Sequence, residues 1–146
     1  VAFGSCACFG GVNQLKNRFD PGWVEKEVYG NHQIETGPVR PVDAVVPVDL
    51  KIFGCPVKKE EVEKTVVIIA LGKSIVMPGY PVCMECKANE NVCLFDLGQL
   101  CLGPITRAGC DAWCPGNRFG CWGCRGPSED ADVECFLRIV RERGFP

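Results

Sequence analysis

The chain has no long hydrophobic run. Its longest apolar stretch, Val66 to Leu71 (VVIIAL), is far too short to cross a bilayer and belongs to a buried strand or helix. A basic start followed by an apolar run and a cleavage site is also missing, so no export signal is visible. Neither sign of charge is in excess. The 16 basic and 18 acidic residues leave a net charge of −2, which gives no footing for a nucleic-acid or anionic-membrane partner. Histidine is almost absent: His32 stands alone in a polar, loop-like stretch and reads as an ordinary surface residue. An initiator methionine is lacking as well. The opening Val1-Ala2-Phe3-Gly4 looks like the tail of a buried strand, and the chain is expected to be a fragment with an upstream part missing.

What is abundant is cysteine, at 12 of 146 residues. Eight of these fall between Cys83 and Cys124 and read as two successive sets of four. The first set is Cys83, Cys86, Cys93 and Cys101; the second is Cys110, Cys114, Cys121 and Cys124. Four thiolates are the usual ligand count for one [4Fe–4S] cluster, so two sets would place two redox centres close together. That is the layout of a wire. Disulfides are disfavoured by the absent secretion signal and by the local C-x2-C and C-x3-C spacings, which bring sulfurs onto one ion or cluster. Zinc is the harder rival, because Cys83/Cys86 with Cys121/Cys124 could build a ribbon-like site. A single zinc, however, leaves Cys93, Cys101, Cys110 and Cys114 without a role.

Composition changes near Met77. Residues 1–76 read as an α/β domain: a strand ending at Phe3 runs into the glycine-rich loop Gly4 to Gly11, and a second strand, Leu50 to Phe53, runs into Gly54-Cys55-Pro56. A helix is predicted from Lys58 to the glycine cap at Gly72, with Glu60, Glu61 and Glu63 near its positive end and Val62, Val66, Ile69 and Ala70 on the apolar face. Asp20 to Asp49, with Pro21, Pro38, Pro41 and Pro47, reads as an irregular excursion. Residues 77–146 read as a cysteine-rich segment unable to build a core from its own side chains, so that clusters supply its order. A final helix follows, capped at Ser128, with Val133, Phe136, Leu137 and Val140 on one face to about Arg143. Its arginines Arg138, Arg141 and Arg143 read as a solvated face.

Cys6 and Cys55 each follow a predicted strand in a glycine turn, which is where α/β sheets place ligands. Two thiolates do not hold a cube, so two further ligands are expected from elsewhere. Cys8 and Cys135 read as small core residues. Trp113, Phe119 and Trp122 flank the clustered cysteines and could form a water-excluding wall or a subunit contact; they read first as packing residues, with a redox role as the other option.

These residues carry a resemblance. The run from Cys93 to Thr106 (CLFDLGQLCLGPIT), then Cys110, then Gly120-Cys121-Trp122-Gly123-Cys124 resembles the C-terminal cluster region of the small subunit of [NiFe] hydrogenases. Gly4-Ser5-Cys6-Ala7 with Gly10-Gly11, and Gly54-Cys55-Pro56 followed by Glu60, resemble the family's motifs for its first cluster. The resemblance implies a partial flavodoxin-like domain followed by an irregular iron–sulfur domain and a C-terminal helix. It also implies three [4Fe–4S] clusters in series: a proximal one partly held by Cys6 and Cys55, a medial one held by Cys110, Cys114, Cys121 and Cys124, and a distal one held by Cys83, Cys86, Cys93 and Cys101.

Two departures are informative. Cys83 stands where periplasmic and membrane-linked members have histidine, and Cys114 where they often have proline and a three-iron cluster. An added thiolate adds negative charge and lowers the potential. This pattern is similar to the cytoplasmic, cofactor-coupled branch, which includes archaeal sulfhydrogenase delta subunits and the small subunit of methyl-viologen-reducing hydrogenases. A third departure is a gap: the early C-x-x-C that completes the proximal ligand set does not precede Cys6. The implied role is conduction between a nickel–iron large subunit and an electron-accepting subunit or ferredoxin-like carrier, without catalysis on this chain. The small subunit of respiratory complex I shares the flavodoxin-like motifs but lacks the cysteine-rich part. The reading from another class is a zinc-binding or disulfide-stabilised interaction module without a redox role.

Overall fold

Short apolar segments that end in glycine turns become strands. β1 (Ala2–Phe3) and β2 (Lys51–Ile52) pair in parallel, Ala2 against Lys51 and Phe3 against Ile52. The computed structural model describes residues 1–30 and 36–145; His32 lies outside them. Two units divide the chain, Val1–Phe53 and Gly54–Pro146. The composition change at Met77 falls inside the second of these units. Helix α3 (Lys59–Ala70) belongs with the cysteine-rich unit because Glu61 in its first turn is held by Arg125.

In the first unit, Gly4 (φ 82) and Gly10 (φ 88) bracket a short helix, α1 (Ser5–Phe9), where a loop was expected. The thiol of Cys8 is buried and donates to the Ile52 carbonyl at 3.3 Å, so this cysteine fills the interior as expected. Phe9 stacks on Phe53 at 6.3 Å. A 3-10 stretch, Gly11–Arg18, follows. The supposed excursion is partly ordered as helix. Asp20 caps α2 (Pro21–Val24) by accepting from the Trp23 N–H at 2.9 Å, and the turn continues as the π-helical Glu25–Tyr29.

In the second unit, α3 ends as its sequence implies. Gly72 takes φ 65, its N–H bonds the Ile69 carbonyl, and the Lys73 N–H reaches back to Ile68, closing a Schellman cap. Its buried side is not the expected one. Thr65 is buried, with Glu61, Val62 and Ile68 beside it half-buried, while Val66, Ile69 and Ala70 are exposed. The reason is the Glu61–Arg125 pair, which fixes the rotation of the helix.

Helix α4 (Val82–Ala88) and the short α5 (Trp113–Gly116) carry cysteines. The last helix, α6 (Val133–Glu142), starts later than expected. Asp132 is its cap, accepting from the Cys135 N–H at 2.8 Å, whereas Ser128 is buried in an extended stretch next to the Thr106–Pro127 bridge. Phe136 and Val140 face inward, and Gly144 closes another Schellman cap. Cys135 is half-buried, with Arg138 Nη2 donating to its sulfur at 3.5 Å.

The expectation that residues 77–146 cannot build a core is corrected. Val82, Leu94, Cys101, Ala112 and Cys121 form one, with Cys86, Phe95 and Cys110 packed against it. Cysteines supply the apolar volume that the sparse aliphatic side chains do not. Among the described residues, no helix is long and apolar enough to cross a membrane.

Candidate metal centres

The first cysteine set is built on α4 and the turns after it. Cys83 and Cys86 stand one helical turn apart, Cys93 caps the 3-10 turn Leu94–Leu97, and Cys101 follows the left-handed Gly98. Together they line one cavity of about 40 Å3, walled also by Asn91, Leu94, Phe95, Gly103 and Pro104. A methyl group at Gly103 would stand 3.3 Å from the sulfurs of both Cys83 and Cys101, so a larger residue there would require those sulfurs to give by a few tenths of an ångström. Burial, then the neighbouring thiols Cys101, Cys86, Cys93 and Cys121, push the Cys83 thiol up to about 12. Cys86 is raised too, chiefly by burial, with the neighbouring Asn91 amide pulling the other way.

The second set lines a larger cavity of about 400 Å3 with Cys55, Trp113, Trp122 and Arg125. Cys110 lies in a strained loop, where Gly109, Asp111 and Ala112 take φ 109, 58 and 47. The Glu85 carboxylate holds that loop by accepting the N–H groups of Gly109 at 2.8 Å and Ala112 at 3.1 Å. Burial, and then Glu85, raise the Cys110 thiol, while Trp113 and Ala112 N–H groups and Arg125 pull it down. Burial pushes Cys121 up to about 11, against hydrogen bonds from Gly123 and Thr106. Burial, then Cys124 and Cys101, raise Cys114.

Two features escaped the sequence. Cys101 belongs to the first set by its cavity, yet its sulfur accepts the Cys121 N–H at 3.2 Å, so the two sets share a wall. Glu85, between Cys83 and Cys86, is the strut from one set to the loop of the other; its place inside a C-x2-C spacing was the available signal. Trp113, Phe119 and Trp122 are 61%, 61% and 81% exposed, which corrects the packing role expected of them. These short turns face solvent, and nothing in the unit lies over them. Arg143, the C-cap of α6, pairs with Asp96 at 3.3 Å and lies over the Phe95 ring.

Cys6 is exposed on α1, with the Asn13 amide donating to its sulfur at 3.5 Å and Gly11 close behind it. No disulfide joins the cysteines among the described residues. Among the described residues, no three Cys, His, Asp or Glu side chains gather closely enough to hold a single metal ion. The sulfurs of each set ring a cavity rather than meet at a point.

Residues 1–69 match the family of the NADH ubiquinone oxidoreductase 20 kDa subunit. The chain is 41% identical over 145 residues to the delta subunit of sulfhydrogenase 2 of Pyrococcus furiosus, covering 97% of this chain and 60% of that protein. It is 32% identical over 162 residues to the vhu-type F420-non-reducing hydrogenase subunit of Methanococcus voltae, covering 89% and 56%. To the iron-sulfur subunit of the F420-non-reducing hydrogenase of Archaeoglobus profundus it is 29% identical over 179 residues, covering 87% and 56%. The chain is thus similar to these hydrogenase subunits, and spans about three fifths of their length.

Proposed function

We propose that this chain is the cluster-bearing part of the electron-transfer subunit of a [NiFe] hydrogenase complex. Cys110, Cys114, Cys121 and Cys124 would hold a medial [4Fe–4S] cluster, and Cys83, Cys86, Cys93 and Cys101 a distal one. Cys6 and Cys55 would contribute to a third, with two ligands from outside this stretch. The flavodoxin-like character of the first unit and a cytoplasmic location belong to the same reading. The partners would be a large subunit carrying the nickel–iron centre and an electron-accepting subunit or ferredoxin-like carrier.

The observation that supports the reading is that Cys83, Cys86, Cys93 and Cys101 line one cavity, while Cys110, Cys114, Cys121 and Cys124 line another together with Cys55. The donor chemistry fits iron–sulfur clusters, which take four thiolates each. A second detail supports the fit: Asn91 Nδ2, on the wall of the first cavity near the Cys86 thiol, is buried without a full hydrogen-bond partner. Amide donors that reach ligand or inorganic sulfur are a usual device for tuning such a site.

When bound, such clusters supply one-electron acceptance and release. The residues of this chain do the rest. Burial keeps Cys83 and Cys121 protonated until a cation displaces the proton, so loading would release protons. Glu85 holds the loop of the second set, and the Cys121 N–H holds the Cys101 sulfur. The exposed Trp113, Phe119 and Trp122 would offer an apolar contact surface to a partner subunit.

The test is anaerobic purification followed by assay of iron, acid-labile sulfide and zinc. Brown protein with iron and sulfide in equal amounts, whose visible absorbance bleaches with dithionite, is expected. Colourless protein holding zinc, or holding no metal, would overturn the proposal in favour of an interaction module.

A further inference from the structure

Arg125 is the largest fully buried side chain among the described residues, and it carries a permanent charge. Its Nη1 and Nη2 grip the Glu61 carboxylate at 2.8 and 2.6 Å, and its Nε donates to the Ala108 carbonyl at 2.7 Å. Gly109 is the other half of this arrangement: a methyl group there would collide with the guanidinium, so the loop bearing Cys110 is shaped around the arginine. Arg125 directly follows Cys124 and lines the same cavity as Cys110, Cys114, Cys121 and Cys124. A buried ion pair is a poor way to stabilise a fold, because desolvation consumes most of the attraction. Its position on the wall of a cysteine cavity calls for another account.

We infer that Arg125 and Glu61 are positioning residues that set the reduction potential of the centre held by Cys110, Cys114, Cys121 and Cys124. The inference rests on the cluster reading above. A cluster that accepts one electron gains one negative charge, and a buried cation on its wall, little screened by water, favours that reduced form. Arg125 therefore raises the potential of this centre. Glu61 sits on the far side of the guanidinium fork and offsets part of the effect while it holds the arginine in place. Glu85, close to Cys110, acts in the opposite sense to Arg125 and stays fixed by its two backbone bonds. The half-buried Lys58 and the exposed Lys59 and Glu60 also line this cavity, and Arg125 differs from them in being fully buried. Among the described residues, the first set has no such cation on its cavity walls apart from Lys87, which is exposed on α4.

The experiment is an EPR-monitored redox titration of the full chain, purified anaerobically with its clusters. Glu61→Gln is expected to move one of the two centres to higher potential, and Arg125→Met to move the same centre lower. Arg125→Lys, which keeps the charge, should return it toward the native value. The other centre should stay put in all three. If Arg125→Met fails to load its centre, Glu61→Gln and Arg125→Lys decide, since both keep the buried cation. A merely structural role predicts loss of cluster signal in each variant, or shifts of one sign. Either result, or loaded variants with unmoved midpoints, overturns the inference while the cluster reading stands. Wild-type protein without iron and sulfide overturns the cluster reading itself.

Discussion

Replacing Glu85 with alanine should free the loop that carries Cys110 without unfolding the unit around it. The carboxylate accepts two backbone N–H groups, Gly109 at 2.8 Å and Ala112 at 3.1 Å, and Asn89 adds a bond to the Asp111 carbonyl at 3.1 Å. Asp111 and Ala112 sit in the left-handed region at φ 58 and 47, which costs roughly 1–2 kcal/mol per residue. The loop therefore depends on bonds from outside itself. A hydrogen bond to a charged acceptor contributes about 1.5–3 kcal/mol. Glu85 is half-buried, so the lower end applies, and two bonds amount to about 3 kcal/mol. At about 1.4 kcal/mol per decade, loop opening becomes roughly 100-fold more frequent. Hydrogen exchange read by mass spectrometry over residues 107–116 measures this directly. The Gly109 and Ala112 amides should exchange faster by about that factor, while peptides from α6 remain unchanged. Glu85→Gln, with one oxygen left to accept, should fall between. Unchanged exchange in the loop of Glu85→Ala would refute the strut, and equal acceleration in α6 would show global destabilisation in its place.

Two further outcomes follow from burial. Phe136→Ala removes a 5%-exposed ring packed 6.3 Å from Phe95, which should cost about 3–5 kcal/mol and lower the melting temperature by roughly 12–20 °C or more; an unchanged melting curve would show that α6 does not stabilise its unit. In the metal-free chain, the folded state keeps protons on Cys83 up to about 12 and on Cys121 up to about 11, while the unfolded chain sheds them near 9.0. Folded protein then binds more protons than unfolded protein above that point, so stability should fall as pH rises from about 9. Urea midpoints measured at about pH 8 and about pH 10 check the sign, and a higher midpoint at the alkaline value would contradict the burial of these thiols.

Elements marked by strong local chemistry were legible in the sequence. Both strands, the glycine cap of α3 and the inward face of α6 at Phe136 and Val140 follow from apolar runs that end in glycine or alternate at helical spacing. What failed to show depended on residues far apart in the chain. The inward side of α3 is set by Arg125, 64 positions beyond Glu61, and no local pattern reveals that a first-turn glutamate faces inward. Ser128 and Asp132 are equally good caps by residue type. The extended pairing of Thr106 with Pro127 takes Ser128 out of contention. The turn at Cys6 read as a loop because glycines flank it on both sides, yet the five residues between them are free to coil.

The candidate site shows the same division. Cysteines close in sequence, such as Cys83 and Cys86 one turn apart on α4, line the same cavity, as their spacing implies. The contact between sets could not be read from spacing. Cys101 is the last thiol of the first set, and through its sulfur it receives the backbone N–H of Cys121 from the second. Cys101 and Cys121 are also two of the five core residues of this unit. Side chains that would bind clusters are thus the ones that exclude water when none is bound, and at Cys121 that same burial holds the proton on the thiol. Cluster loading and core packing then act on the same atoms. A substitution at Cys101 touches the walls of both cavities and the core at once, whereas one at Cys93, which is half-buried and outside the core, touches one cavity wall only.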